Sequence, residues 1–421
     1  MIGAPRRSLS EIVAWHAFAW WWLGGAAGCV LATLLVVPEL SRFLGPLTYG
    51  RWAPVHLNLT LYGALAVPWV GVLLSGFGVD ADGRKGRGRG ALAAWSLALT
   101  LGAASWLDGQ TSGKLFLDWV GPAKWAFLAA QVLLALVLLE SLLSRRTQGA
   151  KARWELWLLW GFLAVVPWAM ARASGSAGYP PVNPASGGPT GNSLLGSSLG
   201  LVFAVWLIPR LLGLSLRDAS RGRGLATLSF IVFAAQCLLF WALGMGDHSN
   251  RELPQLLGLA TVALWTFLLA ADLRRFEWPA GSRAWSAAAL FWGLALALDG
   301  LVQFLPLPLL RGKFTHLLVA HAHLAMAGFT AAIALLLLHV GLARAGRAEV
   351  LTDRPAFLLW NGGTLLHCVA LSAVGLLEAS DPACLFRGGT AVEILLWLRG
   401  FAGGLMLLAP TLWLRRLEAV A

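Results

Sequence analysis

Charge is scarce in this sequence. Of 421 residues, 12% are Asp, Glu, Lys or Arg and 58% are hydrophobic, with a mean hydropathy of +0.70. A soluble domain carries about twice that share of charge, so a water-exposed globule is excluded. Tyrosine is nearly absent, its three occurrences being Tyr49, Tyr62 and Tyr179. Cysteine is also rare. Cys29, Cys237, Cys368 and Cys384 show no paired spacing and three of them sit in apolar runs, so a structural disulfide is not expected. No C-x-x-C-H occurs, which excludes a covalently attached c-type haem on this chain. No small-residue cleavage site follows the first apolar run, which therefore reads as a membrane helix and not as a signal peptide. Strong internal repeats and soluble segments are missing too, leaving one membrane domain across residues 1–421.

What the chain has is a succession of apolar runs of about 20 residues. Hydropathy places about twelve spans, at 12–38, 53–77, 90–107, 119–143, 155–173, 193–214, 224–245, 253–272, 284–306, 315–343, 355–378 and 389–413. The fold class expected is all-α, a polytopic membrane protein. The net charge of +12 raises the question of nucleic acid, but the basic residues collect in alternate connections. Arg84, Lys85, Arg87 and Arg89 crowd one loop, Arg145, Arg146, Lys151 and Arg153 another, and Arg210, Arg217, Arg221 and Arg223 a third. That alternation is the positive-inside pattern with an even number of helices and both termini cytoplasmic. The excess is topology, and no nucleic-acid partner is implied. The connection at 172–192, with YPPVNPASGGPTGN, is too rich in Pro and Gly for a helix and reads as an external loop.

Ionisable side chains in lipid are costly and are usually functional. Eight histidines occur: His16, His56, His248, His316, His321, His323, His339 and His367. A lone one is explained equally well by a neighbouring carbonyl, and His16, His339 and His367 are read that way. His56, His321 and His323 differ. His56 lies near the start of the second span, and the other two near the start of the tenth, in HLLVAHAHLAMAG. Both spans run in the same direction, so the three rings are expected at similar depth. On an α-helix, positions 321 and 323 point about 200° apart. They cannot share one metal between them, but they can serve two groups on two sides of the helix. A six-coordinate haem takes two axial imidazoles. His56 and one member of the H-x-H pair meet that need, leaving the other as the single ligand of a second haem.

The stretches FLGPLTYGRWAPVHLNLTLYG and KFTHLLVAHAHLAMAGF resemble the second and tenth helices of subunit I of the cbb-type cytochrome c oxidases, in the haem-copper oxidase superfamily. SLGLVFAVWLIPRLLG and FWALGMGDHSNRELPQ extend the likeness over most of the chain, and twelve helices match that subunit's core. The resemblance implies His56 and His323 as axial ligands of a low-spin haem and His321 as the proximal ligand of a high-spin haem. Arg51, Lys313 and His316 fall where polar groups reach haem propionates, or serve equally as interfacial anchors. The implied cofactors are two b-type haems. The implied setting is the inner membrane of a bacterium, with lipid, other subunits of a membrane complex, and a c-type cytochrome or quinol as electron partner.

The chain departs from that family at the copper site, which takes one histidine from helix six and an adjacent pair from helix seven. The sixth span has no histidine, and the expected position falls near Pro189 or Thr190. The pair reads Asp247-His248, and the helix-seven tyrosine is missing. Asp247 and His248 are the candidates for a second metal, but aspartate is a hard ligand and a poor match for a copper that cycles through Cu(I), so copper is not expected. Glu140, Glu393 and Arg399 do not form a continuous proton relay. The expected function is electron transfer through two b-type haems in a respiratory complex, with oxygen reduction in doubt. The alternatives are a terminal oxidase or nitric oxide reductase with an unusual second-metal site, and a haem-based gas-binding or sensing protein.

Overall fold

A computed structural model of the chain describes residues 7–80, 83–147, 154–174, 194–243 and 253–419. Among them, helix accounts for almost all regular structure, with a single β-bridge between Leu216 and Phe276. Among the described residues, eleven helices are long and apolar enough to cross a membrane: α1 (Leu9–Val36), α2 (Tyr49–Gly76), α3 (Lys85–Leu107), α4 (Gly121–Ser144), α5 (Trp154–Ala173), α7 (Gly224–Ala242), α8 (Leu256–Arg274), α9 (Arg283–Gln303), α10 (His316–Arg344), α11 (Arg354–Ser380) and α12 (Thr390–Ala419). Between α5 and α7 lies the shorter apolar helix α6 (Ser198–Leu211). The protein is a multi-pass membrane protein. Where about twelve spans are expected from hydropathy, the described residues hold eleven full-length helices and one shorter one.

Local chemistry sets several boundaries. The hydroxyl of Ser8 accepts from the Glu11 N–H at 3.2 Å while the Glu11 carboxylate accepts from the Ser8 N–H at 2.7 Å, a reciprocal cap at the start of α1. Thr315 caps α10 through the Leu317 N–H. Helix α8, read as one span, is interrupted at Ala263. The Gln236 amide donates to the Thr261 carbonyl at 3.0 Å, and Trp265 Nε1–H donates back to the Gln236 carbonyl oxygen. A side chain has taken a carbonyl that the helix ladder uses, which is a recognised cause of a kink. Two helices contain a π-helical turn with i→i+5 bonding, Leu59–Leu65 within α2 and Leu324–Thr330 within α10.

The chain packs as two compact units. The first comprises Met1–Pro181, Leu337–Phe357 and Leu407–Ala421. Its core holds Trp106, Trp119 and Phe127, with Trp119 stacked on Phe127 at 4.1 Å. Gly102 admits the indoles, since a Cβ there would lie 2.8 Å from Trp106. Near one end of this unit, the buried guanidinium of Arg347 bonds Glu11 at 2.9 Å, Glu349 at 3.0 Å and the carbonyls of Arg416 and Leu417. The second unit comprises Val182–Leu336 and Leu358–Met406. Here Trp292 packs on Gly328 of α10, where a Cβ would lie 2.9 Å from the indole, and its Nε1–H donates to Asn361 of α11 at 2.8 Å.

The Arg347 cluster generates a stability prediction. Removing one member of a buried ion pair strands the other, at a cost of about 3–5 kcal/mol. Arg347→Ala is expected to lower the thermal midpoint of the detergent-purified protein clearly, and an unchanged midpoint would show that the cluster is dispensable.

Candidate functional site

In the first unit, His56 lies in α2 against α1. Its Nδ1 is 2.8 Å from the carbonyl oxygen of Gly24. A carbonyl only accepts, so Nδ1 carries the proton and the lone pair resides on Nε2. Gly24 and Gly28 stand one turn apart on α1 and let the helices approach, as small residues four apart do in membranes. A Cβ on Gly28 would lie 2.8 Å from both Cε1 and Nδ1 of His56, and one on Gly24 would meet Thr60 Oγ1 at 2.9 Å. The π-helical turn begins three residues after His56. Arg51, one turn before it, donates through Nη1 to the Leu107 carbonyl at 2.8 Å. Gly109, at φ +91°, passes close by; a Cβ there would sit 3.0 Å from the guanidinium.

In the second unit, α10 turns His321 and His323 to different neighbours. His321 faces α9, where its Nδ1–H donates to Asp299 Oδ2 at 2.7 Å. Gln303 Nε2 holds the same carboxylate at 2.9 and 3.1 Å and lies 3.1 Å from the Leu317 carbonyl. Phe304 meets the imidazole edge-on at 5.9 Å. The ring borders a largely apolar cavity of about 310 Å³ whose walls include Ser198, Trp265, Gly300 and Phe329. His323 faces α11. Its Nδ1–H donates to its own helix at the Val319 carbonyl, 2.8 Å away, and its ring lies 4.5 Å from that of His367. His367 in turn holds the Arg399 carbonyl through Nδ1 at 3.2 Å. The second π-helical turn begins at Leu324, directly after His323.

All three histidines therefore have Nδ1 engaged by a carbonyl or carboxylate oxygen. This is the arrangement in which a ligating imidazole holds its orientation and offers Nε2 to a metal. The other residues singled out in the sequence have these surroundings. His316 gives both its backbone N–H and its ring Nδ1 to Glu378 Oε2, at 2.6 and 2.8 Å, so the ring is committed to a carboxylate. Lys313 is buried, with its ammonium 5.6 Å from the Phe314 ring centre, and Phe314 adopts a left-handed φ of +72°. Glu140 forms an ion pair with Arg87. His16 takes the Ser96 hydroxyl at 2.6 Å. Asp247, His248, Pro189, Thr190 and Tyr179 lie outside the described residues. Among the described residues, no group of three or more His, Cys, Asp and Glu side chains is placed to hold a metal ion.

Asp299 escaped the sequence reading although the signal was there. It is an aspartate within LALALDGLVQF, an apolar run in which any carboxylate asks for a partner. His367, read as a lone polar spot, touches His323 instead.

No family model matches this sequence, and no curated protein matches it. The structure is similar to a haem-copper terminal oxidase dimer solved by cryo-electron microscopy, with a TM-score of 0.64 over 99% of this chain and 84% of that one, at 14% identity. The chain thus has the fold of the haem-copper terminal oxidases.

The contact between Gly28 and His56 is testable. Adding side-chain atoms to a filled helix interface costs about 1–3 kcal/mol. Gly28→Leu is expected to reduce the yield of monodisperse protein on size exclusion, whereas Gly404→Leu, where a Cβ meets nothing within 4 Å, leaves it unchanged. Equal yields would contradict the close packing of His56 on α1.

Proposed function

We propose that this chain is a haem-binding membrane protein of the haem-copper oxidase type that transfers electrons through two b-type haems within a respiratory complex. One observation carries the reading: His56, His321 and His323 each have Nδ1 held by an oxygen acceptor, so each offers Nε2 to iron. His56 and His323 would be the axial ligands of a low-spin haem, and His321 the proximal ligand of a high-spin one. The cavity beside His321 fits that assignment, being apolar and of the size of a small-molecule site. When bound, the haems supply one-electron chemistry between an external donor and an acceptor.

The protein's own groups set the terms of that chemistry. Asp299 accepts the His321 Nδ1–H, which orients the ring and makes Nε2 a more basic ligand. Gln303 holds the carboxylate in place for that bond. His323 gives its Nδ1–H to its own Val319 carbonyl, a neutral acceptor, so it and His321 differ in donor strength. Arg51 and Lys313, at or just before the starts of the two histidine-bearing helices, are the candidates for the haem propionates. The donor is a c-type cytochrome or a quinol, further subunits complete the complex, and the setting is a bacterial inner membrane with both termini cytoplasmic. Copper is not part of the reading, because the sixth span has no histidine and Asp247 replaces one of the helix-seven pair.

A second reading, haem-based gas binding or sensing, draws on the same cavity, which leaves space beside a haem that His321 alone would hold. The two differ in whether quinol or reduced cytochrome c reduces the protein.

The test is the haem content and spectrum of the purified chain. About two b-type haems per chain are expected by the ligand count. His56→Ala and His323→Ala should each abolish the sharp low-spin band and leave a carbon monoxide-binding haem, while His321→Ala should do the reverse. Protein without haem from haem-replete cells would sink the reading, and identical spectra for His321→Ala and His323→Ala would sink the division of roles.

A further inference from the structure

The two helix pairs that carry the histidines follow one plan. In the first unit, Trp20 of α1 lies on Gly63 of α2, where a Cβ would come within 2.7 Å of the side chain, and its Nε1–H donates to Ser96 Oγ of α3 at 3.0 Å. In the second unit, Trp292 of α9 lies on Gly328 of α10 in the same way, and its Nε1–H donates to Asn361 of α11. Eight residues after each tryptophan stands a glycine that faces an imidazole. Gly28 faces His56, and Gly300 faces His321, where a Cβ would lie 3.3 Å from Cε1. Each of these histidines stands seven residues before the glycine that receives the tryptophan and three before a π-helical turn, Leu59–Leu65 or Leu324–Thr330. Each also gives its Nδ1–H to the preceding helix, His56 to the Gly24 carbonyl at 2.8 Å and His321 to Asp299 Oδ2 at 2.7 Å.

The likeness continues two residues further on, where α2 has Asn58 and α10 has His323. Asn58 Nδ2–H donates to the Pro54 carbonyl and His323 Nδ1–H to the Val319 carbonyl, each four residues back on its own helix and each at 2.8 Å. Both bonds come just before the ladder widens to i→i+5. An amide performs this backbone duty as well as an imidazole does. In this register His56 corresponds to His321, and His323 corresponds to an asparagine.

We infer that α1–α2 and α9–α10 are two versions of one iron-holding helix pair, in which His56 or His321 suffices to hold a haem, and that His323 is an added sixth ligand. The inference rests on the haem reading above. In that reading His321 is the single protein ligand of its iron. An imidazole of the same tautomer, with a glycine in the same place beside it, can do at His56 what His321 does, because a held Nδ1–H fixes the direction of Nε2. His323 then sets coordination number and not occupancy. With it the iron has two axial imidazoles; without it the iron keeps an open position for carbon monoxide.

The experiment uses the full chain purified from haem-replete cells, with haem counted by pyridine haemochrome and open sites by carbon monoxide titration of the reduced protein. His323→Asn places at 323 the side chain that α2 carries and keeps a donor for the Val319 carbonyl. It is expected to retain about two haems per chain, to lose the low-spin band, and to double carbon monoxide binding from about one to about two per chain. His56→Ala is expected to lose about half of the haem. A His323→Asn protein with half the haem would overturn the inference, and so would a His56→Ala protein with all of it. Failure of His323→Asn to fold, judged by size exclusion, would contradict the equivalence with Asn58. If His56→Ala does not fold, His56→Gly is prepared from cells grown with and without added imidazole. The full haem content is expected only with imidazole, and full content without it would count against His56 as the anchor. Unaltered protein without haem would remove the haem reading itself, whereas haem loss confined to His323→Asn would remove only the ranking of the ligands.

Discussion

The bond between His321 and Asp299 shows the constraint on which this protein is built. Hydrocarbon offers no water to a polar side chain, so each such group must find its partner in another part of the chain. His321 finds a carboxylate, which Gln303 holds. His56 finds the Gly24 carbonyl, and His323 the carbonyl one turn behind it. These partners do more than satisfy a donor. They decide which nitrogen carries the proton, and therefore which nitrogen is available for chemistry.

Backbone shape follows from the same need. For His56 to reach a carbonyl in the middle of α1, the first helix must present a surface without side chains, and Gly24 and Gly28 supply it. The Gly24 carbonyl already belongs to the α1 ladder, so the imidazole adds a bond to an oxygen with a second lone pair to spare. In the second unit, Gly300 lies against the His321 ring and Gly328 against Trp292. Glycine costs helix stability in water, but here it opens the places where rings enter.

Much of this was legible in the sequence, for physical reasons. Scarce charge and recurrent apolar runs demanded membrane helices, and the fold matches that demand. The opposed directions of His321 and His323 follow from 100° per residue. What was hidden is the rotation of each helix about its own axis. Helices that are apolar on every side carry no stripe to show which face meets which neighbour. Asp299 and His321 are 22 residues apart on adjacent helices, yet only the packed structure turns them toward each other. The His323–His367 contact, the His316–Glu378 pair and the Arg87–Glu140 pair were hidden in the same way. The break in α8 depends on Gln236 of α7, a residue that no local rule about α8 includes.

The two π-helical turns carry a consequence for how the protein tolerates change in length. A π turn accommodates one residue more than the α-helical ladder around it, and one residue swings everything beyond it by about 100°. In α10 the turn lies between the histidines and the buried run Ala331–Val340; in α2 it lies between His56 and the buried positions of its second half. The ends that carry imidazoles and the ends that anchor the core are thus set at independent angles on the same rod. Shortening Leu324–Thr330 by one residue would leave His321 and His323 in place while rotating the buried half of α10, with His339, away from its neighbours. The surplus residue acts as a phase shifter, fixing the angle between a chemical face and a packing face that a regular helix would tie together.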